Sequence, residues 1–157
     1  MTMNKLGNLV LDKWVKGDGP GTTLYNAING EAIASTSSDG IDIASMYDFA
    51  RGEGGHALRK MTFQERGLML KALALHLHSI KDKFYSVSWS TGATKIDSWI
   101  DIEGGIGNLF ANASLRRQFP DLPYYVDGAA APLSKEGTFI GHHIMVPKKG
   151  VAVHINA

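Results

Sequence analysis

"MTFQERGLMLKALALHLHSIKDKFYSV", residues 61–87, is the stretch on which the fold turns. Thr62 followed three residues later by Glu65 is a capping-box pattern, in which each side chain accepts from the other's backbone N–H at a helix start. Beyond it Leu70, Leu73, Leu77, Ile80, Phe84 and Val87 recur at three- and four-residue intervals, which lays one apolar stripe along a helix. Lys71, His78, Lys81 and Asp82 fall off that stripe. "STGATK" (residues 90–95) interrupts the pattern, and Gly92 is placed to end the helix in left-handed backbone.

Toward the N-terminus, "TSSDG" (residues 36–40) precedes a first helix with Ile43, Met46, Tyr47 and Ala50 on one face and Ser38 or Asp39 as its cap. Gly52, Gly54 and Gly55 weaken or end it. Before that the chain is β-rich. "NLVLDKWVKGDGPGT" (residues 8–22) reads as a strand and a glycine-rich turn, and "TLYNAINGEAIAST" (residues 23–36) as a hairpin around Asn29-Gly30. Trp14 reads as core packing or an edge anchor, with a stacking platform as the other possibility.

Toward the C-terminus, Ile96, Trp99, Ile100, Ile106, Phe110 and Ala113 predict a third helix from about Lys95 to Arg117. Gly104, Gly105 and Gly107 lie in its middle, where each costs about 1 kcal/mol relative to alanine. They make sense where something approaches the backbone closely. "FPDLPYY" (residues 119–125) ends the helical region, and residues 137–157 read as two strands separated by Pro147-Lys148-Lys149. In the second, Val151, Val153 and Ile155 alternate with Ala152 and His154, the pattern of a buried strand in an α/β sheet. Hairpins, three helices and then strands make the class α/β, with an incomplete sheet.

Composition excludes several functions. A net charge of +1 offers nothing to nucleic acid or a membrane surface, and 44% hydrophobic residues suits a globular chain. Apolar runs are too short or interrupted to span a bilayer, and the N-terminus lacks a signal-peptide apolar region, so a cytoplasmic setting is expected rather than export. The absence of cysteine excludes disulfides, thiolate metal sites and cysteine nucleophiles within these residues. "GDGPG" (17–21) has no following Lys-Ser/Thr, and "GGIG" (104–107) lies inside a helical pattern, so neither reads as a phosphate loop. His76 and His78 diverge on a helix, and His142 and His143 point to opposite faces of a strand, so no metal site follows from spacing. Glu103, close to the third helix's apolar stripe, reads as a paired or partly solvated acid.

The order of motifs resembles the start of an aldehyde dehydrogenase. "KWVKG" (13–17) is similar to the family's early Gly-x-Trp strand. "YNAINGEAIAS" (25–35) is similar to its Asn-Pro-x-x-Gly-Glu-x-x-Ala hairpin, with Ala27 where proline is usual. "MTFQERGLMLKALALHL" (61–77) resembles the family's Glu-Arg helix, and "STGATKID" (90–97) stands at its Glu-x-Gly-Lys turn. "PKKGVAVHINA" (147–157) resembles the strand that leads into the family's Pro-Trp-Asn-Phe-Pro. Within the family, residues 61–72, 92–110 and 133–139 are similar to the dehydrogenase half of bifunctional ring-opening enzymes of phenylacetate degradation, which also carry an enoyl-CoA hydratase domain. A benzoyl-CoA pathway dehydrogenase is the near alternative.

This resemblance implies the N-terminal part of a dinucleotide-binding domain over residues 1–122, a bridging strand segment over 123–148, and the truncated first strand of the central sheet over 149–157. It implies an NAD- or NADP-dependent enzyme that oxidises an aldehyde, expected to be a CoA-linked semialdehyde, and assembles as a homo-oligomer. Ile155, Asn156 and Ala157 match the stretch beneath the nicotinamide ribose, and Ile100 and Gly104 match positions on the substrate tunnel. The family's oxyanion asparagine, cysteine thiolate and general base match nothing here, so these residues alone are expected to be inactive. The alternative is a non-catalytic assembly module that associates with full-length dehydrogenase subunits.

Overall fold

A computed structural model describes residues 4–155. Strands β1 (Asn8–Val10), β2 (Lys13–Val15), β3 (Thr22–Tyr25) and β4 (Ala32–Thr36) come first. Helices α1 (Ile43–Phe49), α2 (Gly55–Lys60), α3 (Phe63–Ser79), α4 (Asp82–Ser88) and α5 (Lys95–Ser114) follow, then strands β5 (Tyr125–Pro132) and β6 (Ile140–Met145). The strands make three separate antiparallel pairs, β1–β2, β3–β4 and β5–β6. The class is α/β, with small sheets. Among the described residues the one parallel pairing is an isolated bridge between Lys5 and Ser35.

Residues 61–87 form helix in two pieces. The capping box is present: Thr62 Oγ1 accepts from Glu65 N at 3.1 Å and Glu65 Oε2 from Thr62 N at 2.8 Å. The helix breaks at Ile80 (φ −116°) and restarts as α4. Gly92 follows a final tight turn with φ 82°, as its position predicts.

α3 and α5 pack against each other, and the apolar core lies between them. Ala74, Ile106 and Ala113 are buried there, with Ser98 fully enclosed and hydrogen-bonded to Ser88 at 2.8 Å. The buried residues of α3 are Gly67 and Ala74, not the larger members of its stripe. Small residues let the two backbones approach: a Cβ added to Gly67 would lie 2.7 Å from Arg116 Cβ and 3.0 Å from the Ala113 carbonyl oxygen. At the open end of this pair Phe63 stacks on Phe119 at 4.5 Å, and Phe119 meets the edge of Tyr125 at 5.3 Å. Gln64 Nε2 donates to the Arg116 and Phe119 carbonyls at 2.7 and 3.1 Å. These contacts anchor the start of β5.

The structure corrects several sequence expectations. Residues 8–15 are a hairpin rather than one strand; Leu11 and Asp12 turn it at φ 48° and 64°, which a leucine does not signal. The β3–β4 turn has only Gly30 at positive φ, and Asn26 organises the loop by accepting from Ile28 N and pairing with Glu31. α1 is capped by Asp42, whose Oδ1 accepts from Ser45 N at 3.0 Å, so Ser38 and Asp39 lie too early. The glycines after α1 widen the helix into a π turn over Ala50–Gly54 instead of ending it. β5 forms from an alanine-rich stretch without apolar alternation, inside the strand segment over 123–148 that only the resemblance implied.

The largest correction concerns residues 151–155, which form no strand. Val151 is half-buried, whereas Val153 and Ile155 are 74% and 92% exposed. Alternation marks where a strand would place its faces, but a strand exists only where a neighbour takes its hydrogen bonds. No such neighbour lies among the described residues. Trp14, expected in a core or at an edge, is 76% exposed. Among the described residues no helix is long and apolar enough to cross a membrane.

Candidate functional site

The helix proposed to line a substrate tunnel is α5. A second capping box starts it, with Thr94 Oγ1 accepting from Asp97 N at 3.2 Å and Asp97 Oδ2 from Thr94 N at 3.2 Å. This box was not singled out in the sequence, although the Thr-x-x-Asp spacing was there to read. Ser98, Ile106 and Ala113 define the buried face of α5. Ile96, Ile100 and Gly104 follow one another at four-residue steps on a different flank, so Ile100 and Gly104 do share one surface. Ile100 is 55% exposed. A Cβ placed on Gly104, Gly105 or Gly107 would meet nothing within 4 Å. The close neighbour expected at these glycines is absent among the described residues, and the flank is open.

Glu103 stands beside that flank and is paired. Its Oε1 accepts from Lys81 Nζ at 2.8 Å and from Tyr85 Oη at 3.1 Å. The Lys81 hydrogen bond holds the Glu103 carboxyl below its usual pKa of 4.5, and the same bond raises Lys81 above 10.5. Tyr85 is raised first by burial and then by Glu103. The cluster ties the start of α4 to the middle of α5 at the edge of the open flank. Its members are 18 and 22 residues apart, so no local spacing could reveal the partners.

The proposed cofactor residues are not assembled with this wall. Ile155 lies in irregular, largely solvated backbone, and Asn156 and Ala157 lie outside the described residues. The strand end against which a nicotinamide would lie is therefore not formed by the residues described. On β6, His143 stands opposite Asp127 in the hairpin register, and His142 and His143 border an open cleft of about 540 Å³. Among the described residues no group of three or more His, Cys, Asp and Glu is placed to hold a metal ion.

No family model matches the chain. A curated protein does: over 154 residues the chain is 36% identical to a 3,4-dehydroadipyl-CoA semialdehyde dehydrogenase of Aromatoleum evansii. The match takes in 98% of this chain and 30% of that enzyme. This chain is related to the aldehyde dehydrogenases. The aldehyde dehydrogenase likeness runs through the hairpins, the α3–α5 pair and the β5–β6 hairpin alike, since the match leaves almost none of the chain out. The chain spans less than a third of that enzyme's length.

Proposed function

We propose that this chain serves as the N-terminal portion of an NAD(P)-dependent aldehyde dehydrogenase that oxidises a CoA-linked semialdehyde from aromatic ring degradation to the acid. The observation that carries this reading is 36% identity, sustained over 98% of the chain, to an enzyme named for such a substrate. Support comes from α5, whose Ile100 and Gly104 share an exposed flank free of neighbouring side chains. Glycine at 104 leaves room for a substrate carried on a bulky arm. The family's nucleophile is a cysteine thiolate, and these 157 residues hold no cysteine, so the chain's own part is scaffold and tunnel wall. Dinucleotide binding near Ile155, Asn156 and Ala157 rests on the family resemblance alone; Ile155 lies in irregular backbone and Asn156 and Ala157 lie outside the described residues. A cytoplasmic location and a homo-oligomer joined through β5–β6 complete the proposal; Val126, Ile140 and Ile144 are exposed on that hairpin.

The test uses a dehydrogenase polypeptide that carries these residues and follows NAD(P)H formation. Turnover of CoA-linked semialdehydes supports the reading, and none with any aldehyde overturns it. Gly104→Leu fills the room that the glycine leaves for the substrate's bulky arm, and crowding of that arm at about 1–3 kcal/mol is expected to lower kcat/KM for the CoA-linked substrate roughly tenfold to a hundredfold while short free aldehydes are spared. Equal losses for both would remove Gly104 from the tunnel. The 157-residue chain by itself is expected to show no turnover above a protein-free blank.

The second reading, an assembly module that associates with full-length dehydrogenase subunits, is favoured by the chain's large surface. It exposes 11961 Å², against about 7,700 Å² for a compact monomer of this length. Co-purification of this chain with such subunits, and an unchanged specific activity on its removal, would distinguish a passive module from a working part.

A further inference from the structure

At the corner where α3 begins and α5 ends lies a cleft of about 220 Å³, walled by Phe63, Arg66, Leu70, Leu115, Arg116 and Phe119. The Arg66 guanidinium lies over the Phe63 ring, its central carbon 4.6 Å from the ring centre. Its Nε donates to the Thr62 carbonyl at 3.4 Å, while Nη2 is shielded from water and has no hydrogen-bond partner. A shielded guanidinium nitrogen without an acceptor, a state that Arg59 Nη1 shares, calls for an explanation, and beside a cleft an anion supplies one. Arg116 supplies a second guanidinium, held in place as Nη1 donates to the Ala113 carbonyl at 2.7 Å. No carboxylate among the described residues lines the cleft. Glu65, the nearest acid in sequence, is occupied by the Thr62 N–H, and the ion pair of Lys81 and Glu103 lies elsewhere.

We propose that this cleft is an oxyanion site in which Arg66 and Arg116 hold a single carboxylate or phosphate group. The planar fork of a guanidinium matches both groups, and two fixed positive charges without a counter-charge favour either. The size selects a small ligand: at about 30 Å³ per water the cleft displaces only a handful of molecules, enough for inorganic phosphate or a carboxylate on a short stem. Phe63, Leu70 and Phe119 give that stem an apolar wall. The site is separate from the proposed tunnel, since Arg116 follows Gly104 by twelve residues, about 18 Å along a helix axis. It does not depend on the dehydrogenase reading.

The experiment titrates the 157-residue chain with inorganic phosphate and, separately, with propionate, each against chloride at matched ionic strength. The arginine Nε–Hε resonances are followed by NMR. Saturable shifts at Arg66 and Arg116 are expected, weakened at least tenfold by Arg66→Gln and less by Arg66→Lys, which keeps the charge but loses the fork. Saturation by propionate identifies a carboxylate ligand and saturation by phosphate a phosphate. Arg116→Gln leaves the Arg66–Phe63 stack intact and is expected to weaken binding as well, which separates lost binding from a collapsed corner. Shifts that track ionic strength without saturating, or curves unchanged in both glutamine variants, overturn the proposal.

Discussion

Gly67 and Gly104 are both glycines inside helices, and what surrounds them gives them opposite weight. At Gly67 a methyl group would meet Arg116 Cβ at 2.7 Å and the Ala113 carbonyl at 3.0 Å, so the α3–α5 pair must separate to admit it. Gly67→Ala is expected to lower stability by about 1–3 kcal/mol. At Gly104 nothing lies within 4 Å, and alanine there removes only backbone freedom from the unfolded chain. Gly104→Ala is expected to raise stability by about 1 kcal/mol. Urea unfolding of the two variants checks both signs. Glu103 gives a prediction in pH. Its pKa is lowered in the folded state, chiefly by Lys81, so its contribution is present above 4.5 and fades as pH falls through the folded value. Lys81 is raised, so its contribution is present below 10.5 and fades as pH rises through its folded value. Glu103→Gln is expected to flatten both edges of the stability profile, read as unfolding midpoint against pH. A profile unchanged at either edge would show that the pair contributes nothing there.

Among the elements, α3 and α5 are the ones whose starts are specified twice over. In each, a threonine side chain accepts an N–H and an acid three residues on returns the bond. Thr62→Ala and Thr94→Ala are each expected to cost about 1 kcal/mol, with lost helical signal in circular dichroism at intermediate denaturant. The Thr62 substitution should matter more to the rest of the fold. The first residues of α3 also carry Phe63, stacked on Phe119, and Gln64, bonded to the Arg116 and Phe119 carbonyls. β5 and β6 differ from these helices in having no cover: Val126, Ile140, Ile144 and Met145 are exposed along the hairpin. A two-stranded ribbon of this kind has little stability of its own, so its amides are expected to exchange with solvent far faster than those of α3 and α5 in a hydrogen-exchange measurement.

For the molecule as a whole, surface outweighs core. The buried apolar residues among those described are Ala34, Ala74, Ile106 and Ala113, three of them alanines. α3 carries Leu68, Leu73 and Leu75 on flanks that α5 does not cover, and all three are exposed. A helix apolar on nearly every side belongs in the interior of something larger. The excess over a compact monomer is about 4,200 Å² on this one chain, more than the half-share that one partner contributes to an obligate interface of roughly 2,000–5,000 Å² in total. The isolated chain is therefore expected to self-associate and to bind a hydrophobic dye such as ANS. Light scattering coupled to size exclusion at several concentrations checks this, and a sharp monomer peak with no dye binding would show that the surface is satisfied as it stands.

What the sequence by itself determined is local. The Thr62 box, the helical run of α3 and the left-handed Gly92 all depend on atoms within four residues of one another, and each was legible before any coordinates. A paired Glu103 was legible as well, but not with which partners. Lys81 and Tyr85 reach Glu103 only because α4 folds back along α5. The tertiary structure alone decided that Gly67 is the glycine of close approach, that the flank at Gly104 is open, and that residues 151–155 stay out of a sheet. The reason is the same in each case. Periodicity states which side chains would share a face, whereas burial and strand pairing need a second element at a distance, and its position is not written in the residues it covers.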